Sequence, residues 1–113
     1  MEIKSKADLM KFLGDMTEFE RDVLVATFEI PRGRVSTYKH IAKKIGRPRA
    51  YRAVGNALHK NPLAPIIPCH RVVKSDGGLG GYGKGVEAKR RLLEEEGIEI
   101  RNGKVKLIRE ILF

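Results

Sequence analysis

Tryptophan and glutamine are absent from this chain, and cysteine occurs once. A single cysteine excludes an internal disulfide, and beside only three histidines it is poor material for a structural zinc site, so no metal is expected. No apolar run approaches the roughly 18 residues that a membrane-spanning helix needs. The opening stretch MEIKSKADLMKFLGDM lacks the apolar segment and small-residue cleavage site of a secretory signal. A cytoplasmic protein is the expectation. Plentiful Glu and Lys without Gln hint at a thermophilic source.

Acidic residues are missing where they matter most. From Pro31 to Ser75 there are eleven Lys or Arg and not one Asp or Glu, whereas the rest of the chain carries twelve bases against fourteen acids. The formal charge of +9 therefore falls within one window and predicts a positive field over one part of the fold. Nucleic acid is the expected partner, because basic surfaces gain affinity by neutralising phosphate. The 113 residues suffice for one core and make a single domain, residues 1–113, the expectation.

Ser5 followed by Asp8, Leu9, Phe12 and Leu13 predicts a short amphipathic helix ending near Gly14. Thr17 with Glu20 forms a capping-box pattern ahead of Phe19, Val23, Ala26 and Ile30, a second helix that stops at Pro31 and Gly33. Ser36 is placed to cap a third helix reaching Ile45, with Gly46 closing it. After the turn Arg47-Pro48-Arg49, a fourth helix to His59 carries Val54 and Leu58 inward and exposes Tyr51, Arg52, Asn56 and Lys60. Two helices about one short turn make a helix-turn-helix. Ala50, Ala53, Gly55 and Ala57 would let the second of them come close to whatever it touches.

Asn61-Pro62 ends that helix, and Ile66-Ile67-Pro68 and Arg71-Val72-Val73 read as extended runs flanking Cys69 and His70. Six of the twelve glycines crowd between Gly77 and Gly85, a loop with room for a ligand or a backbone. Val86 to Glu96 is helical again, and the tail from Ile98 to Phe113 forms a hairpin around Asn102-Gly103.

The glycine loop matches two nucleotide-binding patterns without their context. Gly85 stands where a phosphate loop needs Ser or Thr for magnesium, and only 28 residues follow, too few for the strands of a dinucleotide fold. A nucleotide-dependent enzyme is therefore the weaker reading. Pro68-Cys69-His70-Arg71 is the stronger signal: the lone thiol lies in the acid-free window, where positive potential favours a thiolate, and His70 is the nearest base.

The runs IPRGRVSTY, RAVGNALHKNP, PIIPCHRVV and GGLGGYGKGVEAKRRLLEEEG, in this order and spacing, resemble the C-terminal domain of O6-alkylguanine-DNA alkyltransferases from about Thr17 to Gly97. The resemblance implies a mainly α fold with short β segments, a helix-turn-helix of winged-helix-like form. It divides the chain into a short N-terminal helical extension (1–16), an alkyltransferase core (17–97) and a C-terminal hairpin and tail (98–113). It further implies direct-reversal DNA repair, in which each molecule acts once and takes a methyl or larger alkyl group from O6-alkylguanine in double-stranded DNA, as a monomer without cofactor.

Carried onto these residues, the resemblance makes Cys69 the alkyl acceptor, His70 its base through a bridging water, and Glu96 the carboxylate that orients the histidine. Tyr38 would bind the extruded guanine and help protonate it, while Arg52 would fill the gap left in the base stack. Thr37, Tyr51, Ala53, Gly55, Asn56 and Arg71 complete the implied DNA-binding set. Asn61 would brace the turn after the recognition helix, and Pro68, Gly81, Tyr82 and Gly83 would support the active site. Lys84 stands where the family usually has glycine, which leaves the alkyl range open. The rival within the family is a damage sensor that binds alkylguanine without chemistry; such relatives typically carry tryptophan at the position of Cys69.

Overall fold

The computed structural model describes residues 3–113, so the first two residues of the expected N-terminal extension lie outside it. Helix α1 (Lys6–Phe12) starts where the Ser5 hydroxyl accepts from the Asp8 N–H, and α2 (Glu18–Phe28) starts at a complete Thr17–Glu20 capping box. Strand β1 (Ser36–Thr37) leads directly into α3 (Tyr38–Lys44), and α4 (Tyr51–His59) follows after a turn. A 3-10 turn (Cys69–Arg71) runs into β2 (Val72–Val73), and after the glycine loop come α5 (Val86–Glu95), β3 (Ile100–Arg101) and β4 (Lys104–Val105). The fold is mainly helical with short strands, as expected. No helix among the described residues is long and apolar enough to cross a membrane.

Two apolar clusters share the interior. Leu9 and Leu13 join Val23, Leu24, Ile41, Val54, Leu58, Ile67 and Val72 in a core between the helices. Val35, Val73, Leu79, Leu93, Ile98 and Val105 form the second cluster, beneath the glycine loop. The parallel pair β1–β2, with Ser36 opposite Val72 and Thr37 opposite Val73, lies between them. Successive side chains of a strand point to opposite faces, so Val72 enters the first cluster and Val73 the second. The reactive-looking turn Cys69–Arg71 enters directly into this seam. The tail hairpin forms as expected: β3 and β4 are antiparallel, and Asn102 (φ 53°) with Gly103 (φ 74°) supplies the two left-handed residues that a tight hairpin turn demands.

Several local expectations give way to tertiary contacts. Ser36 is not the cap of α3; pairing with β2 takes it into the sheet, and the Thr37 hydroxyl accepts from the His40 N–H at 3.0 Å instead. Phe12 is 45% exposed, because Leu9 and Leu13, one turn apart, occupy the seat against α2. Ala57 is buried in the core rather than offered at the surface of α4. Ile66-Ile67-Pro68 is not extended: Asn61 draws the chain into turns before Cys69, and Ile66 stays exposed.

Ser36 also carries a cost. Its hydroxyl is buried with no hydrogen-bond partner among the described residues, and an unsatisfied buried polar group costs about 1–3 kcal/mol. Ser36→Ala is expected to raise stability by about 1 kcal/mol, read as a higher urea midpoint with unchanged slope. A lower midpoint would show that the hydroxyl has a partner in solution.

Candidate active site around Cys69

Three segments deliver the chemistry. The first is the turn that carries Cys69. Asn61 Nδ2 donates to the Ile67 carbonyl at 2.8 Å, and its Oδ1 accepts from the Leu63 N–H at 2.9 Å, pinning the chain between α4 and the cysteine. Pro68 precedes the turn, and its carbonyl accepts from the Arg71 N–H at 2.9 Å. Cys69 is thereby held half-buried. It borders a slot of about 20 Å³ with Tyr38, Gly55, Gly81, Tyr82 and Gly83, and a cleft of about 150 Å³ that reaches Ala64 and Lys84.

The second segment is the end of α5, where Glu96 is the C-cap. Its Oε2 lies 2.7 Å from His70 Nε2, Arg71 donates to both carboxylate oxygens at 2.9 and 3.0 Å, and the Gly33 N–H donates to Oε1 at 3.1 Å. Burial pushes this carboxyl up, but the hydrogen bonds from Arg71, His70 and Gly33 outweigh it and bring the pKa to about 2. Burial lowers the pKa of His70 from 6.5, opposed by Glu96 and assisted by the charges of Arg71 and Lys89. The neutral ring donates through Nε2 to the carboxylate, which leaves Nδ1 as a lone-pair acceptor. Nδ1 is buried without a partner among the described residues, which suits a base awaiting a proton.

The third segment places Tyr38 at the start of α3, its ring against Gly80. A Cβ there would collide with the phenol hydroxyl, and Gly80 has φ +75°. The glycine loop's space is thus filled in part by the protein itself. Burial raises the Tyr38 pKa, and the negative charge of a Cys69 thiolate raises it further.

Lys89 sits beside Tyr38 and was not among the expected residues. It is fully buried, and its Nζ donates to the Val72 carbonyl at 2.7 Å, the Gly81 carbonyl at 3.3 Å and the Tyr38 hydroxyl at 3.4 Å. Burial lowers its pKa to about 8, against the pull of Cys69. A signal was available, since Lys89 is four residues before the buried Leu93 on the apolar stripe of α5, where a lysine needs a reason.

The expected DNA-facing residues divide. Tyr51, Arg52, Ala53 and Asn56 are exposed along α4, and Gly55 is half-buried beside the Tyr38 ring. Tyr51, Arg52, Gly55 and Asn56, with Lys39, Lys74 and Ser75, line a groove of about 460 Å³, and Ala53 lies outside its lining. Lys39 lies over the Tyr51 ring, 5.4 Å from its centroid. Thr37 spends its hydroxyl on the cap of α3. Arg71, expected on the DNA, turns inward: its fork is occupied by Glu96, and Nη1 donates to the Ile30 carbonyl at 2.8 Å. Gly81, Tyr82 and Gly83 all reach the Cys69 slot.

A family model described as 6-O-methylguanine DNA methyltransferase, DNA binding domain, matches residues 18–98. The chain is 51% identical over 92 residues to the methylated-DNA--protein-cysteine methyltransferase of Methanosarcina barkeri, covering 81% of this chain and 58% of that protein. It is 46% identical over 87 residues to the protein of the same name from Methanothermobacter thermautotrophicus, covering 77% and 48%. The chain thus spans about half the length of these curated relatives. Among solved structures, Mycobacterium tuberculosis OGT in complex with DNA superposes with a TM-score of 0.70 at 50% identity, over 71% of this chain and 50% of that one. S. pombe Atl1, in complex with damaged DNA containing O6-carboxymethylguanine, superposes with a TM-score of 0.75 at 36% identity, over 87% of this chain and 96% of that one.

Proposed function

This chain belongs to the family of 6-O-methylguanine DNA methyltransferase DNA-binding domains, and from that premise we propose that it repairs DNA by moving an alkyl group from guanine O6 to Cys69. The observation that carries this reading is a thiol and a phenol with an ammonium behind it at one small slot, with a buried histidine next to the thiol in the chain, its Nε2 on a carboxylate and its Nδ1 unpartnered among the described residues. The histidine and carboxylate activate the nucleophile, and the phenol and ammonium assist a leaving group.

The step balances. His70 Nδ1 takes the thiol proton, through a water in the scheme the family resemblance implies, and Glu96 stabilises the imidazolium that results. Sulfur then bonds to the alkyl carbon as the carbon–O6 bond breaks and its electron pair stays with the purine, which takes a proton from the Tyr38 hydroxyl. The Lys89 ammonium beside that oxygen stabilises the phenolate left behind. A thioether is not released by water under ordinary conditions, so each molecule acts once.

The groove along α4 supports DNA as the partner. Arg52 is exposed there and has no carboxylate partner among the described residues, so it is free to enter the stack when the guanine leaves. We assign Tyr51, Gly55 and Asn56 to the groove contact, Ala53 to the exposed surface of α4 next to it, and Thr37 to holding the first turn of α3 beside it. The working unit in this reading is a cytoplasmic monomer without metal or cofactor. The match to S. pombe Atl1 over nearly its whole length favours a second reading, a sensor that binds alkylguanine and does no chemistry. Cys69 is the feature that speaks against it.

Incubation with an O6-methylguanine duplex is expected to add one methyl group to the peptide containing Cys69, seen by mass spectrometry. An unmodified peptide from fully bound protein favours the sensor. The transfer rate constant should fall in acid, with its midpoint below 6.5, because the base must be neutral and burial holds the His70 pKa below that value, and should fall again above about pH 8, where Lys89 loses its ammonium charge.

A further inference from the structure

We infer that His59, the last residue of α4, sets the size of the alkyl group the site admits; the inference rests on the reading of Cys69 as the acceptor. His59 alone among the lining side chains borders the DNA-facing groove, the narrow slot at Cys69 and the cleft beyond it. Its ring bridges the gap between α4 and the glycine loop: a Cβ placed on Gly81 would lie 3.2 Å from both Cε1 and Nε2. The ring therefore closes directly against backbone.

The volumes say what this closure does. The slot of about 20 Å³ has room for one water and no more. A guanine coming from the groove, of about 460 Å³, reaches Cys69 only if the gap widens, and the ring spanning the gap is what must move. An alkyl group longer than methyl extends past sulfur into the cleft of about 150 Å³, whose near wall is again His59. His59 is exposed at a helix end and its side chain is in no hydrogen bond among the described residues, so the ring is free to swing. It acts by occupying space and exchanges no proton with the substrate.

The test is a comparison of two substrates. First-order transfer constants are measured for O6-methylguanine and O6-benzylguanine in the same duplex, at saturating protein so that DNA affinity drops out. In His59→Ala the benzyl-to-methyl ratio is expected to rise about tenfold, and in His59→Trp to fall by a similar factor, the scale on which pocket size discriminates between substrates. A ratio that stays within twofold of wild type in both variants, or moves the other way, overturns the inference. If wild-type protein transfers neither group, the reading of Cys69 falls with it; if wild type is active and the ratio does not move, only the role of His59 falls.

Discussion

Cys69→Ala protein will bind alkylated duplex DNA with an affinity within about twofold of wild type and transfer nothing to itself. Two observations separate the functions. Phosphate neutralisation by lysine and arginine supplies most of the affinity for DNA, and the exposed cations that can provide it, such as Lys39, Arg52 and Lys74, frame the groove along α4, in which Cys69 has no part. Sulfur, by contrast, occurs at the slot only in Cys69, the chain's sole thiol. Replacing a half-buried thiol by a methyl group enlarges the slot slightly and strands no hydrogen bond, so the cost to stability is below about 1 kcal/mol. The measurement pairs a binding titration with intact mass after prolonged incubation. Transfer to any residue of the alanine variant would mean that the acceptor has been misassigned, and loss of DNA binding would mean that the thiol holds the interface together.

Glu96→Gln is the second change with a large effect, and it acts on folding and rate together. The carboxylate ties α5 to the Cys69–Arg71 turn and to Gly33. Removing one member of a buried charged pair costs about 3–5 kcal/mol, because the partner is left uncompensated. The pH dependence follows from the pKa. Glu96 falls from 4.5 to about 2 on folding, which corresponds to roughly 3 kcal/mol of stability. A depressed carboxyl contributes that stability in full above the unfolded value and loses it as pH falls toward the folded one. The gap in unfolding free energy between wild type and variant should therefore be widest above pH 4.5 and close toward pH 2. A gap that is constant with pH would detach the charge of Glu96 from its structural role. The transfer rate at neutral pH should fall ~10²–10⁴-fold, the range expected when a general base loses its support, and Glu96→Asp should restore part of it.

What could be read from the residues alone was mostly what neighbours in the chain decide. The Thr17–Glu20 box, the Gly46 stop and the Asn102-Gly103 turn depend on side chains within four residues of one another, and all three formed. Ser36 and Thr37 show the limit. Either hydroxyl can cap a helix, and the choice was made by β2, 36 residues farther along the chain. Arg71 is similar: in the acid-free window it looks like a phosphate ligand, but its counter-charge arrives 25 residues later in Glu96. Cys69 and His70, the proposed nucleophile and base, stand out in the sequence because they are adjacent and oddly placed. Lys89 stayed hidden because its partners come from three separate segments that only the fold assembles.

That same assembly makes the strand after the active-site turn sensitive to counting. Val72 and Val73 are neighbours that belong to different interiors. Substituting either for another aliphatic of similar bulk disturbs one cluster and leaves the other to hold the strand. Adding or removing one residue here exchanges the two faces, so that each side chain meets the wrong cluster and Cys69 shifts by a full strand step. In these few positions the molecule tolerates spelling changes but no shift in its frame.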